Sequence, residues 1–555
     1  MNYKHMEDKI YLVPEPKSIK FTGRWLQFDG FSNFREEIRE EFNIKKGSWE
    51  FRHIYDSVQS IKVYEKKVET HGDINIATAT AIQLIMQRKG FLPEVEVIEQ
   101  LDFSFRGFHL DIARGGVPSL ETFKKFMDLL FVMKYNKFGI YFEDLYPWKS
   151  FPEIGKRRGR ITEEEWKEIL KHGNKIGLDV FPSLELLGHM EHFLEMDKYR
   201  ELGELWWTER DDCVDVTNQK ASKFTKDLLK DAIETSPSKL IHIGGDETWS
   251  LGRGRSLDKT EKFQGPDLYI KHYRELVNLT SNMGKKAMMW GDMLTGMYLS
   301  SEEKKYWSKV VEDKIWDNVM IANWDYEPLS VDHFRRRISE IGHIDQQIAC
   351  PALNSSATFY PDFEPALKNI TSFLKAAKEE KLQGYMITAW GDLGQECLFS
   401  LLNPLVMASA DIFSDPKEFP KKFSILSGED IECSKARFEA GKLNCAPMIR
   451  NVLYRNLNFV SERRELRTGW YEAMRSFVNK YSGAKLSEDM NAILLLMKQC
   501  INMENREFKG QEFGSAIRKY EELWLRERKI YGLSNVVSKL LGSCEMESIL
   551  NNTSK

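Results

Sequence analysis

From about residue 103 to 410 the chain repeats one rhythm, a short apolar, β-branched or aromatic run followed by an amphipathic stretch whose apolar positions recur at helical spacing. Eight such runs occur, at 104–110, 137–142, 178–183, 239–244, 286–290, 319–324, 346–350 and 384–390. Between them the pattern predicts helices, among them 119–134, with Ser119 as N-cap, and 162–175, where Thr162 followed by Glu165 fits a capping box. Eight βα units in about 300 residues predict a (β/α)8 barrel. A doubly wound open sheet shares the same periodicity and is the rival arrangement.

The pattern changes on both sides. Residues 1–100 mix short strands (25–28, 61–64) with a helix near 77–87, closed by Gly90-Phe91-Leu92-Pro93, and predict a small α+β domain. Past about residue 412 strand signals fade, and charged amphipathic stretches at 464–481, 487–502 and 514–530 predict a helical domain over 413–555. The barrel is expected over 101–412.

Composition narrows the function classes. Lys+Arg 80 against Asp+Glu 84 leaves a formal charge of −4 in 555 residues, which offers no footprint for nucleic acid or an anionic membrane. Residues 1–9 are polar where a secretory signal needs an apolar core, and no run reaches membrane-spanning length, so a cytoplasmic protein is expected. The seven cysteines are scattered without CxxC spacing, which predicts reduced, mostly buried thiols rather than disulfides or a zinc site.

Barrel chemistry collects at the C-terminal strand ends. The fourth run leaves there as His242-Ile243-Gly244-Gly245-Asp246-Glu247-Thr248-Trp249. Neighbouring side chains on a regular strand point to opposite faces, so two glycines that can leave strand geometry allow both carboxylates to face one pocket. The bland alternative is a pair of surface acids at a helix N-terminus. Close carboxylates beside an aromatic ring are driven apart in pKa, one ionised and one holding its proton near neutrality. That division suits acid-catalysed bond cleavage.

Other strand ends supply Trp290-Gly291-Asp292, Asn323-Trp324-Asp325-Tyr326 and Trp390-Gly391-Asp392. Indole faces pack on the apolar faces of a pyranose while charged groups pair its hydroxyls, so these ends suit a carbohydrate pocket, against the reading of tryptophans as core. Glu143-Asp144 and Glu185 through His192 end the second and third runs. His189 and His192 lack the HExxH arrangement of a zinc site, and a histidine tuning nearby carboxylates is favoured. The basic clusters 156–160 and 335–337 read as solvated surface.

Taken in order, these blocks resemble the family 20 glycoside hydrolases, the β-N-acetylhexosaminidases. His242-Ile243-Gly244-Gly245-Asp246-Glu247 is similar to the family signature, Val13-Pro14-Glu15-Pro16-Lys17 to the opening of its N-terminal domain, Arg106-Gly107 with Leu110-Asp111 to the start of its barrel, and Gly188-His189 to its third strand end. Phe142-Glu143-Asp144-Leu145-Tyr146-Pro147 and Leu187-Gly188-His189-Met190-Glu191 look like the hexosaminidase D branch, which is non-secreted and tends to prefer β-linked N-acetylgalactosamine. The chain departs from the family in having Leu187 for the usual proline and Tyr141-Phe142-Glu143-Asp144 for a Trp/His-rich second strand.

The resemblance implies an exo-acting retaining hydrolase of terminal β-linked GalNAc or GlcNAc that needs no metal or cofactor. Glu247 is then the general acid/base, and Asp246 holds the N–H of the substrate's 2-acetamido group, whose carbonyl oxygen displaces the leaving group through an oxazolinium intermediate. Arg106 is expected on the outer hydroxyls, Trp290, Trp324 and Trp390 as walls, and Asp392 on a far hydroxyl. Tyr360 is expected on the acetamido carbonyl, and Glu143, Asp144, His189 and Asp292 also stand as substrate-binding candidates. Two rivals remain at this point: a two-carboxylate glycosidase with Asp292 or Asp392 as nucleophile, and a silent sugar-binding protein. The partner expected is a glycan or glycoconjugate, with a homodimer among the allowed assemblies.

Overall fold

The computed structural model describes residues 9–208, 211–297, 299–443, 446–455, 464–505 and 507–553. Cys445 and the polar residues 1–8 lie outside these.

A five-stranded sheet comes first, built from β1 (Ser18–Gln27), β2 (Glu50–Ile54), β3 (Ser60–Tyr64), β4 (Lys67–His71) and β5 (Phe91–Ile98) in the order β1-β5-β3-β4-β2. The helix Ile74–Met86 packs against it, capped by Asp73, whose side chain accepts from Asn75 N and Ile76 N. Gly90 lies in the turn that closes the helix, and Phe91–Pro93, expected to belong to that closure, open an interior strand. Proline is tolerated there because Pro93 lies opposite Trp25, beside the register shift between Phe21 and Trp25. Buried Gln83 ties this region to the barrel, donating to the carbonyls of Val13 and Val132 at 2.6 Å each.

The eight runs form β6 (Phe105–Asp111), β7 (Lys137–Tyr141), β8 (Asp179–Ser183), β9 (Leu240–His242), β10 (Lys286–Trp290), β11 (Met320–Trp324), β12 (Gln347–Cys350) and β13 (Gly384–Ala389). They close as a parallel barrel, β10-β11-β12-β13-β6-β7-β8-β9, with β9 pairing back to β10. Closure removes the open-sheet alternative. Alternate positions point inward, so Met288 and Trp290, Met320 and Ala322, Ile348 and Cys350 join Phe105, Phe181, Leu240 and Met386 in a lumen cluster separate from the helix-facing core. The lumen is therefore packed, and a ligand finds room only above it. Between strands, Ser119 accepts from Thr122 N at 3.2 Å, and Thr162 and Glu165 form the reciprocal capping box.

From Phe419 onward the structure is helical, and its later helices include Arg464–Tyr481, Glu488–Asn505, Gly510–Glu527 and Leu533–Thr553. The junction after Glu527 is stitched to the β6 loop. Ser119 N donates to Glu527 O and Lys529 N to Val117 O, both at 2.9 Å. Among the described residues no helix is long and apolar enough to cross a membrane. The described cysteines are free thiols, buried except for partly buried Cys544.

Candidate active site

β9 ends at His242, and the backbone then turns through Gly244 (φ 74°) and Gly245 (φ 108°) into Glu247 (φ 49°). A Cβ on Gly244 would collide with the Glu185 carboxyl and the Leu184 carbonyl, so glycine is required there on both counts. This turn brings Asp246 and Glu247 to the wall of one cavity of about 450 Å³. Asp246 is nearly buried, and its Oδ1 has no hydrogen-bond partner.

His189, at the end of the β8 loop, bridges the pair. Its Nε2 lies 3.3 Å from Asp246 Oδ2 and 3.5 Å from Glu247 Oε2. Burial disfavours the imidazolium, but the charge and hydrogen bonds of Asp246, with Glu247 and Glu185 behind, outweigh it and push His189 well above its ordinary value. Reciprocally, burial would raise Asp246, but the His189 cation holds it below the usual carboxylate range. Glu185 goes the other way: burial first and the Asp246 charge second push its carboxyl well up, so a neutral acid sits beside the anion.

Asp292 is fully buried and sets the nearby geometry. Its Oδ2 accepts from Glu247 N at 2.9 Å and its Oδ1 from Trp324 Nε1 at 3.1 Å. Burial, then the charges of Asp246 and Glu247, push it up to about 7.

Facing the acid pair, Arg114 follows the end of β6. Its guanidinium reaches Asp111 at 3.0 Å, Glu143 at 3.3 Å and Asp392 at 3.6 Å, and lies over the rings of Tyr141 (4.8 Å) and Trp390 (5.4 Å). Tyr141 OH donates to Glu143 at 3.2 Å, and Asp111 also accepts from Gly391 N at 2.9 Å. The aromatic wall is Trp324 stacked on Tyr326 (4.9 Å, 28°), with Trp390 Nε1 donating to Tyr326 OH at 2.8 Å. Trp249 stands at the rim, 38% exposed.

The structure thus brings Asp246, Glu247, His189, Trp324, Trp390 and Asp392 to one cavity, and moves the other expected residues elsewhere. Arg106 sits at the start of β6, at the opposite end of the barrel, donating to the carbonyls of Lys134 (2.7 Å), Phe103 (2.8 Å) and Ser104 (3.4 Å); it touches no sugar hydroxyl there. Tyr360 is buried, and its hydroxyl donates to Arg437 O at 2.8 Å, away from the cavity. Trp290 is lumen core beneath Trp390, their ring centroids 5.7 Å apart. Glu143 and Asp144 lie behind the wall, Asp144 paired with Arg158, and Asp292 acts through the Glu247 backbone. The cluster 156–160 is correspondingly less solvated than expected, since Arg158 also bonds Ala113 O and Arg160 bonds Ile154 O.

Sequence reasoning missed Arg114, and it named Tyr326 in a strand-end block without giving it a role. The available signal was position, since Arg114 is the first arginine beyond β6 and Tyr326 lies just beyond β11. The His/acid cluster of Glu41, Asp128 and His172, which could hold a cation, lies where the helix Glu36–Glu41 meets the helix Glu163–Ile176, not at this cavity.

Residues 103–396, more than half the chain, match the family model of the glycosyl hydrolase family 20 catalytic domain. Curated relatives include human hexosaminidase D, 24% identical over 52% of this chain and 60% of its own length, and its cattle counterpart, 22% identical over 60% of this chain and 94% of its own. A β-hexosaminidase of Porphyromonas gingivalis is 24% identical, but the chain spans only 31% of that protein's length. Among solved structures, the Flavobacterium johnsoniae chitobiase shares the fold with a TM-score of 0.62 at 15% identity, covering 97% of this chain and all of that one. The Bacteroides fragilis β-N-acetylhexosaminidase has a TM-score of 0.60 at 19% identity, over 78% of this chain and 96% of its own.

Proposed function

We propose, since this chain belongs to glycosyl hydrolase family 20, that it is a retaining exo-β-N-acetylhexosaminidase acting on terminal β-linked GalNAc or GlcNAc by substrate-assisted catalysis. The observation that carries the reading is the Asp246–Glu247 pair facing one aromatic cavity, with the His189 cation holding Asp246 below the usual carboxylate range. The Asp246 carboxylate is the acceptor proposed for the acetamido N–H, and the anion stabilises the positive charge that develops as the acetamido carbonyl attacks the anomeric carbon. The tethered carbonyl gains a large effective concentration over any external nucleophile.

Glu247 donates its proton to the departing glycosidic oxygen, then takes one from the water that opens the oxazolinium ring; two displacements at one carbon give retention. Asp292 fixes the Glu247 backbone and the Trp324 indole at once. Tyr326 OH, held by Trp390 Nε1, replaces Tyr360 as the hydroxyl offered to the acetamido carbonyl. Arg114, with Asp392 beside it, takes the outer hydroxyls in place of Arg106. Asp292 is disfavoured as a nucleophile, because it is enclosed with both oxygens engaged.

The test is release of nitrophenol from aryl β-N-acetylglucosaminide and β-N-acetylgalactosaminide, with inhibition by a thiazoline mimic of the cyclised intermediate. Turnover insensitive to the thiazoline would assign the two-carboxylate route, and binding of the panel without turnover the silent sugar-binding protein.

A further inference from the structure

A cavity of about 270 Å³ lies at the lower end of the barrel, where β6 and β13 begin, opposite to Asp246 and Glu247. Three parts of the chain enclose it. Pro14 and Glu15 come from the N-terminal domain, Phe103 and Arg106 from the entry to the barrel, and residues 409–414 from the segment that leads into the C-terminal helices.

Arg106 and Tyr385 stand side by side in the β6–β13 register. Their chain neighbours Phe105 and Met386 fill the lumen, so strand alternation turns these two outward, to the cavity they line. Nε and Nη1 of Arg106 are spent on the carbonyls of Lys134, Phe103 and Ser104, whereas Nη2 has no acceptor among the described residues. The Tyr385 hydroxyl has no partner among them either, although its residue is 5% exposed and its ring is fixed edge-on by Phe103, with centroids 5.4 Å apart. Neither atom is sealed off by protein, so both reach the cavity. Burial pushes the phenol up to about 12, against the pull of Arg106, so it keeps its proton and donates. Buried polar groups are nearly always bonded, and two adjacent donors left open to one cavity are a prepared acceptor site.

The charges on the walls set the sign and size of what fits. Asp102 is paired with Lys378 at 2.8 Å and Asp411 with Lys422 at 2.6 Å, while half-exposed Glu15 turns toward the same Lys422 at 3.9 Å. Arg106 makes no ion pair among the described residues, so one buried positive charge stands without a carboxylate of its own. A single negative charge balances it, whereas a multiply charged anion would meet three acids on the same walls. Leu374, Ile412 and Phe413 add an apolar lining beside Phe103, and Phe413, 51% exposed, stands at the edge. Apolar walls with a few converging polar groups are the usual make-up of a small-ligand site, and guanidinium and phenol donors suit a planar carboxylate.

We infer that this cavity binds a small monocarboxylate with a compact apolar body, its carboxylate held by Arg106 Nη2 and Tyr385 OH. Seated there, the ligand joins the N-terminal domain, the barrel floor and the 409–414 segment, and it stabilises the folded chain by mass action. The site is separate from the hydrolase chemistry and stands whether or not that reading holds.

The experiment titrates benzoate and butyrate, with benzamide and inorganic phosphate as controls, into the full-length protein and into Tyr385→Phe and Arg106→Met, by calorimetry and by the thermal unfolding midpoint. We expect at least one of the two acids to bind with a Kd of about 1 mM or below and to raise the midpoint, and both controls to bind at least about tenfold more weakly, since they lack the single charge. Tyr385→Phe removes no bond that the protein makes to itself, so the ligand-free midpoint should hold while affinity for the acid falls about tenfold, the worth of a hydrogen bond to a charged group. Arg106→Met should weaken it about 30-fold or more. Saturable binding of neither acid overturns the site, as does affinity unchanged in Tyr385→Phe, or benzamide or phosphate binding as tightly as the acid. If Arg106→Met does not fold, Tyr385→Phe and the difference between benzoate and benzamide decide the matter.

Discussion

Arg106 and Arg114 mark the two ends of one strand, and what surrounds each decides its work. At the lower end, Arg106 donates to three backbone carbonyls and, 9% exposed, makes no ion pair among the described residues; burial pulls its pKa down. At the upper end, burial acts on Arg114 in the same direction, but Asp111, Glu143 and Asp392 together raise it well above its ordinary value. The first arginine closes open peptide groups where helices and strands turn over. The second is a fixed cation at a cavity wall, its fork held by carboxylates and its face laid on two aromatic rings. The same division separates conservative chemistry below from reactive chemistry above in barrels generally.

The comparison breaks most visibly at the acid. Glu247→Gln keeps the side-chain shape and removes the proton, and kcat on an aryl β-N-acetylhexosaminide should fall about 10²–10⁴-fold, the usual worth of positioned proton transfer. The unfolding midpoint should hardly move. An unimpaired variant would sink the assignment of the upper end as catalytic.

Arg114→Lys sharpens the contrast, because lysine keeps the charge and loses the fork. It should cost about 30-fold in kcat/KM, mainly through KM, as expected for a group that binds hydroxyls alike in ground and transition states. Arg106→Met should do the converse. Three carbonyls lose their donor, which costs about 2–3 kcal/mol of unfolding free energy, while kcat/KM per folded molecule stays put. Denaturant melts beside steady-state kinetics check both, and a KM effect in Arg106→Met would return it to the substrate.

The misplacement of Arg106 shows what a sequence carries. Eight apolar runs sufficed for the barrel, since only buried strands are apolar on both faces, and their ends agree with the structure to within a residue or two. The Gly244-Gly245 break likewise told that Asp246 and Glu247 leave strand geometry together. Which end of β6 an arginine occupies is another matter. At about 3.3 Å per residue a seven-residue strand separates its ends by roughly 20 Å, so an arginine at its start and one beyond its end face different solvents. The tyrosine failed for a related reason: Tyr360 lies in an irregular segment whose hydroxyl is captured by Arg437 O, contributed by a helix far along the chain.

The smallest effect expected separates the inside of the barrel from its mouth through pH. His242 is buried beneath the site, its Nδ1 accepting from Gly244 N at 3.1 Å, and burial lowers it to about 3. An unfolded histidine titrates near 6.5, so below that pH the unfolded chain binds a proton the folded one refuses, and stability falls as pH drops from about 6.5 toward 3. His189 has the opposite sign. Its pKa is raised on folding, so its contribution is fully present below about 6.5 and is lost only as pH rises through the higher folded value. His242→Gln, which can still accept from Gly244 N, should flatten the acid side by up to about 1.4 kcal/mol per pH unit. His189→Gln should leave the acid slope, remove stabilisation evenly below about pH 6.5, and flatten the decline at higher pH. Urea melts from pH 4 to 9 read both slopes, and identical acid limbs in wild type and His242→Gln would mean that this histidine is protonated in the folded barrel, and that the interior is not the dry, neutral counterpart of the charged mouth.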